Sequence, residues 1–434
     1  MRFTTEELAA GLVADLVGPP GQVDGVGIDS RTLLPGQLFV ALRADRDGHE
    51  FVPAAVAGGA AAVLVDHPLD GTTAPQLVVA DTAAAMERLA DLARDRLPDR
   101  VVGITGSVGK TTTKDLLATV LRLQGPVAAS ERSFNNELGV PVTLANGPDD
   151  AWAAVVEMGA RGRGHIEFLC RMARPTVGVV TAVEAVHTEL MGSVEDIAVA
   201  KRELVESLPA DGTAVLNADN PHVAAMASAT SARTVMFGDA GEVRAHDVQV
   251  DADLRASFRL ESPWGSVPVS LGVRGVHNVG NALAAAATAL VLDVPLARVV
   301  EGLAVPPASP WRMDLRRAAS GATVLNDAYN AGPASMAAAL RSLVALEADR
   351  RVAVLGVMAE LGDRSAEEHA QVGALARELG VELVAVGTDL YGVEPVDDVD
   401  AAVAAVGEVG PGTAVLVKGS RVAGLERVAA ALLG

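Results

Sequence analysis

The sequence predicts an α/β protein of three parts. These are a small α/β domain over 1–97, a central phosphate-loop mononucleotide-binding parallel sheet over 98–308, and a Rossmann-like domain over 309–434. Three observations carry the prediction. At 434 residues the chain is long for one domain. Strand and helix signals alternate from about 98 to 305 and again from 312, the signature of parallel sheets. Between the two runs lies "VPPASPW", 305–311, a Pro-rich stretch that reads as a linker.

The first block holds short strands and Ala-rich helices and ends at "RLPDR". The second opens with "VVGITGSVGKTTTKDLL", 101–117. Val101–Thr105 is a short apolar run, the look of a buried parallel strand. Gly106 and Gly109 permit φ > 0 and close approach of a ligand to the backbone. Thr111–Leu123 then reads as a helix. Strand, glycine loop and helix N-terminus together make an anion site, with free N–H groups and the helix dipole facing phosphates. Gly106, Ser107, Gly109, Lys110, Thr111 and Thr112 are the candidate nucleotide contacts, Lys110 as a point charge and Thr111 as a Mg²⁺ ligand. The common spacing wants glycine at 104 and Ile104 stands there, so the motif is a shortened variant, set against an ordinary strand–helix turn.

Further polar residues fall near strand ends, where parallel sheets place ligands. "AAVVEMGARG" puts Glu157 at the end of an apolar strand, as a hard oxygen ligand or as a capping or surface glutamate. His187 follows the strand "VGVVTAVEAVH", as a ligand or a structural histidine. Lys201 in "EDIAVAKREL" lies on a helix, where a solvated lysine is the ordinary reading. "RGVHNVGNALAAAATAL" sets His277 and Asn278 at a helix start and Asn281 inside it, within reach of a base edge. "VLNDAYNAGPASM" gives Asp327, Tyr329 and Asn330 after a strand of the last block, as site residues or as an Asx turn.

Charge and composition narrow the function. A net charge of −20 disfavours nucleic acid and anionic membranes as partners. No run approaches the ~20 apolar residues of a membrane span. The start, "MRFTTEELAAGL", lacks a secretory apolar core, and Cys170 is the one cysteine, which fits a reducing, cytoplasmic setting. Of 35 basic residues only four are lysine: Lys110, Lys114, Lys201 and Lys418. A chain that otherwise writes arginine keeps lysine where an amine is needed, unless the pattern is coincidence.

These blocks, in this order, resemble the Mur ligases, the ATP-dependent amide ligases that build the peptidoglycan peptide. The resemblance runs from about Gly27 to Val428. It rests on "DSRTLLPGQLFVAL", "DGHEFV", "SFNNELGVPVTLA", "EMGARGRGHI", "AKRELVESLP", "VLNADNP", "WRMD", "NDAYNAGPASM", "MAELGD" and "VLVKGSR". "FNNELGVP", "NDAYNAGPAS" and "MAELGD" resemble the member that adds D-alanyl-D-alanine to a UDP-N-acetylmuramoyl tripeptide. The Asp-Asn-Pro-Arg motif of the diamino-acid-adding relative is absent.

The resemblance implies roles. Ser30 and Arg31 meet the UDP-sugar, and Asn135, Asn136 and Glu137 the muramoyl end. Thr111 and Glu157 hold one Mg²⁺, and His187 with a carbamylated Lys201 the second. Asn281 contacts adenine, Arg312 a terminal phosphate and Asp327 the ribose. Tyr329, Asn330, Lys418, Ser420 and Arg421 lie toward the incoming dipeptide. It further implies ATP as co-substrate and a cytoplasmic monomer without membrane insertion. One departure stands beside the metal histidine: Thr181-Ala182-Val183-Glu184 replaces the family's Thr-Asn-Val-Gly. A diamino-acid-adding ligase, a paralogue using another amine, and a non-catalytic nucleotide-binding regulator remain as alternatives.

Overall fold

The computed structural model describes residues 1–130, 134–185, 191–306 and 309–434. Its centre is a six-stranded, all-parallel sheet. The strand order is Arg233–Phe237, Thr213–Asn217, Val177–Val180, Val101–Thr105, Ala153–Glu157 and Val127–Ala129. The strands are apolar on both faces because both are covered. Val102, Ile104, Ala153 and Val155 face one core, with the helices Lys110–Arg122 and Asn278–Val291. Val101, Ala154 and Val156 face the other.

That second core does not stop at the sheet. It joins Phe3, Leu8, Leu38, Leu64 and Leu89 of the first block to Ile166, Leu169 and Leu204 of the central one. Two polar joints reinforce it. The Asn146 amide takes both backbone groups of Val26, at 2.8 Å each. Arg94 donates from Nε to the Ala173 carbonyl at 2.7 Å. The first block carries its own five-stranded sheet, parallel except for Asp15–Val17 at one edge.

After Phe237 the expected alternation of strand and helix breaks. Arg244–Val250, Arg255–Ser262 and Gly265–Arg274 form an antiparallel three-stranded sheet. The cause is local. Ala256, Phe258 and Leu260 are buried at every second position, a one-sided strand pattern, and Pro263–Trp264 turn the hairpin, with Gly265 (φ +135) opening the returning strand.

The last block is a five-stranded sheet in the order Asp314–Arg317, Thr323–Asn326, Thr413–Lys418, Arg350–Leu355 and Glu382–Ala385. All pairs are parallel except the first, an antiparallel edge that the sequence pattern did not announce. Its two cores draw on residues 313–432, with Leu254 of the three-stranded sheet inserted into one of them. Between helix Leu296–Leu303 and strand Asp314–Arg317 the described residues form no helix or strand. Trp311 and Met313 there hold φ of 59 and 50, left-handed values that non-glycine residues adopt at a cost.

Candidate active site

The phosphate loop lies where expected, between strand Val101–Thr105 and helix Lys110–Arg122. Its two glycines are required. At Gly106 (φ +151) a Cβ would stand 2.0 Å from Thr181 Oγ1, and at Gly109 (φ +84) 2.2 Å from Asn281 Oδ1. Thr181 Oγ1 donates to the Val108 carbonyl at 2.5 Å. Ser107 donates to the Glu184 carbonyl at 3.0 Å, and the Glu184 N–H donates back at 2.9 Å. The segment that departs from the family pattern therefore braces the loop through its backbone. The Glu184 side chain is half-buried, and burial pushes its carboxyl above the ordinary carboxylate range.

Lys110 Nζ donates to the Gly106 carbonyl at 2.5 Å and the Ser107 carbonyl at 3.3 Å. Burial lowers its pKa, the Glu157 carboxylate opposes that, and Arg312 adds to it. Three predicted residues, far apart in the sequence, thus act on one another electrostatically. Lys201 joins them. It is 4% exposed, and its amine is held well below the usual lysine value, first by burial and then by the charge of Lys110. The solvated-lysine reading fails for a visible reason. Ile197, Ala200, Lys201, Leu204 and Val205 form the buried stripe of helix Val194–Glu206, so the spacing itself placed the amine inside. Ser193 and Asp196 start that helix with a capping box.

Glu157 closes its strand at 1% exposure. Its Oε1 accepts from Asn135 Nδ2 at 2.9 Å, while Oε2 is buried without a hydrogen-bond partner. A buried carboxylate oxygen with no donor is costly, and a hard cation is what it suits. Thr111, 7% exposed, is the next residue after Lys110 on the helix. His187 lies outside the described residues.

The surrounding loops hold the other predicted residues, several in structural bonds. Asn136 Oδ1 caps the helix Gly139–Ala145, accepting from Gly139 N at 2.9 Å. Glu137 pairs with Arg161 and His165, both at 3.1 Å. Asn281 lies against Gly109 and donates to Asn278 Oδ1 at 2.7 Å. Thr112, Asp115, Thr119, Arg274, Asn278 and Arg312 line a cleft beside the phosphate-loop helix. Arg312 stacks 4.0 Å over the Tyr329 ring, and its buried Nε has no partner. Arg421 stacks 4.6 Å over Trp311.

In the last block Lys418 is buried and donates to Asp327 Oδ2 at 2.5 Å and to the Asn330 carbonyl at 2.9 Å. Asp327 Oδ1 accepts the Met313 N–H at 3.0 Å, so both carboxylate oxygens are engaged. His277 packs near this pair, and burial lowers its pKa first of all. Ser420 Oγ accepts from Ala359 N at 2.9 Å and donates to the Ala331 carbonyl at 3.4 Å, clamping three loops together. Gly332 has φ −155, an extended value open to any residue, so glycine there is not a backbone requirement.

Ser30 and Arg31 stand apart, in the first block. Ser30 is half-buried in the turn after Val26–Gly27, and exposed Arg31 forks onto Asp29 at 2.9 and 2.7 Å. Nearby, His49, Asp66 and His67 are close enough to suggest a metal site. The bonds speak against it. His49 Nδ1 bonds Asp47 at 2.6 Å, its Nε2 accepts the Asp66 N–H at 3.1 Å, and Arg43 forks onto Asp66. No ring nitrogen of His49 is left for a metal. Cys170 is buried, and burial raises its thiol to about 12, an inert state.

Comparison with known proteins matches this arrangement throughout the chain. Residues 22–95 match the Mur ligase family catalytic domain, 104–289 the Mur ligase middle domain, and 311–421 the Mur ligase glutamate ligase domain. The UDP-N-acetylmuramoyl-tripeptide–D-alanyl-D-alanine ligase of Mycobacterium tuberculosis is 40% identical, covering 98% of this chain and 96% of its own. The Escherichia coli enzyme of that name is 37% identical over 99% and 98%. The crystal structure of MurF from Acinetobacter baumannii superposes with a TM-score of 0.89, at 31% identity over 100% and 99% of the two chains. MurF of Thermotoga maritima, solved with ADP, gives 0.80 at 26% identity over 94% and 96%. With family domains matched along its length and full-length relatives of one name, the chain belongs to the Mur ligase family.

Proposed function

We propose that this protein joins D-alanyl-D-alanine to a UDP-N-acetylmuramoyl tripeptide at the expense of ATP, a step of peptidoglycan precursor synthesis. The observation that carries the reading is the phosphate loop itself, with Lys110 resting on its carbonyls and the partnerless Glu157 Oε2 at the end of the adjacent strand, within a chain whose full-length relatives bear that activity in their names.

The chemistry follows from the parts. An amine does not displace hydroxide from a carboxylate at neutral pH. Transfer of the γ-phosphoryl group of ATP to the tripeptide carboxylate gives an acyl phosphate and ADP. The dipeptide amine then attacks that carbonyl, the C–N bond forms, the C–O bond to phosphate breaks, and inorganic phosphate leaves with that oxygen while the amine nitrogen gives up its proton. Phosphoryl transfer asks the protein mainly for positioning and charge neutralisation. Lys110 exchanges the Gly106 and Ser107 carbonyls for phosphate oxygens, and Arg312, held flat on Tyr329, meets the terminal phosphate.

Glu157 and Thr111 would hold one Mg²⁺, for which the partnerless Glu157 Oε2 is suited. Bound there, the ion neutralises phosphate charge as a Lewis acid. Lys201 and His187 would hold a second. Burial holds the Lys201 amine well below the usual lysine value; addition of CO₂ to the unprotonated amine, with loss of a proton, would give a carbamate whose anionic oxygens suit a hard cation. The division of labour is UDP-sugar on 1–97 through Ser30 and Arg31, with its muramoyl end reaching the Asn135–Glu137 loop of the central block; ATP on 98–308 with Asn281 toward the nucleoside and Asp327 of the last block toward the ribose; and the dipeptide on 309–434. The working unit is the single chain, in the cytoplasm where ATP and the UDP-linked precursor reside. No helix among the described residues is long and apolar enough to cross a membrane.

The test is phosphate release from ATP with UDP-muramoyl peptides of two and three residues crossed with D-alanyl-D-alanine, L-lysine and diaminopimelate. Release is expected only for the tripeptide with D-alanyl-D-alanine. Extension of the dipeptide precursor by a single diamino acid would overturn the substrate assignment while leaving the family standing.

A further inference from the structure

Of the four lysines in this arginine-rich chain, the reading above leaves Lys114 without a task. It lies one turn beyond Lys110 on the phosphate-loop helix and is 2% exposed. Its Nζ donates to the Ser130 carbonyl at 2.6 Å and stands 2.9 Å from Asp115 Oδ1. Ser130 is where the edge strand Val127–Ala129 leaves the central sheet. Its hydroxyl accepts the Glu157 N–H at 3.1 Å and a bond from Thr143 Oγ1 at 3.3 Å. Glu157 in turn accepts from Asn135, whose carbonyl takes the Gly159 N–H at 2.7 Å. A chain of bonds therefore runs from the phosphate-loop helix through Ser130 and Glu157 to the loop of Asn135, Asn136 and Glu137. Lys114 is its first link.

The neighbouring side chain points to a second region. Asp115 Oδ2 accepts a hydrogen bond from Ser309, in the linker to the last block. Consecutive residues of one helix are tied to the loop assigned to the muramoyl end and to the joint of the last block.

The site explains why arginine is not used. A buried ammonium with oxygens at 2.6 and 2.9 Å is a compact point charge, whereas a guanidinium is a broad planar fork that needs a wider slot. Burial on the face of Leu117 and Leu121 leaves such a slot no outlet to water.

We infer that Lys114 is a positioning residue for the UDP-muramoyl substrate, fixing Ser130, Glu157 and through them the Asn135–Glu137 loop against the phosphate-loop helix. This rests on the function proposed above. Wild-type turnover with both substrates is therefore measured first; its absence counts against that function and not against this inference. Lys114→Met, Lys114→Arg and Ser130→Ala are then compared for KM of the UDP-muramoyl tripeptide, ADP affinity and thermal melting. Ser130→Ala breaks the same chain one bond further on and removes only a hydroxyl. The expected result is a rise in KM for the UDP-muramoyl tripeptide of about tenfold in each variant, with ADP affinity within about twofold of wild type, as for a misplaced binding loop. Retention of normal KM by Lys114→Arg would show that charge alone matters and overturn the inference. So would a loss of ADP affinity in step with the rise in KM. Should both Lys114 variants fail to fold, Ser130→Ala decides alone: an unchanged KM overturns the inference, and a selective rise supports it.

Discussion

The central and last sheets present the same device at their carboxyl edges: an apolar parallel strand, a polar residue, then a helix. They differ in how those polar groups are satisfied. At the central edge Glu157 keeps a buried oxygen without a donor, and Lys110 rests on the carbonyls of its own loop. At the last edge Lys418, Asp327, Asn330 and Ser420 bond one another or nearby backbone. One edge is built to receive charge from outside; the other is closed on itself and presents a finished surface. On the function proposed, a substrate at the first edge would complete its bonding, and one at the second would meet a surface whose Lys418–Asp327 pair is already satisfied.

That contrast can be broken from either side. The largest effect is expected at Lys201. Lys201→Ala removes the amine on which the proposed carbamate would form, and ligation should fall by something on the order of 10³-fold. Partial rescue by small carboxylic acids at high concentration is the diagnostic readout, since a structural lysine would give none. Lys110→Ala should cost about 10²-fold in ATP turnover while the fold survives, because the amine bonds the carbonyls of its own loop. Near-normal turnover in a folded variant would place the phosphates elsewhere.

At the closed edge the cost should appear as stability. Asp327→Asn leaves the buried Lys418 charge without its anion, a destabilisation of roughly 3 kcal/mol by denaturant titration. A stable variant with lost activity would mean that the pair belongs to the chemistry instead. The smallest effect concerns Glu184, which burial drives above its ordinary carboxylate value of 4.5. A carboxyl so shifted contributes its full stability below that value and loses it as pH rises through the folded-state pKa. Glu184→Gln should therefore melt higher than wild type at pH 7, by on the order of 1–2 °C, and the difference should vanish near pH 4. The opposite trend would mean that a cation faces this carboxylate.

What was legible in the sequence was local. The strand Val101–Thr105, the two loop glycines and Glu157 at its strand end are each fixed by a handful of adjacent residues. The unread parts depend on partners far along the chain. Lys418 meets Asp327 across 91 positions, and Ser130 meets Glu157 only because Val127–Ala129 pairs with Ala153–Val155. Lys201 is intermediate. Its burial was written in the helical spacing of Ile197, Ala200 and Leu204, but a lysine is by default assigned to solvent. The antiparallel sheet after Phe237 was missed because its alternation sits inside a long run that otherwise reads as strand and helix.

The core shared by the first and central blocks has a consequence for how the molecule comes apart. Residues from Met1 to Ala232 contribute to one continuous apolar cluster, whereas the cores of the last block lie beyond the 305–311 joint and take in, among the described residues, Leu254 alone from before it. Cooperative melting follows cores and not ligand assignments. Three functional parts should therefore unfold in calorimetry as two units. Nucleotide should raise the transition of the larger one.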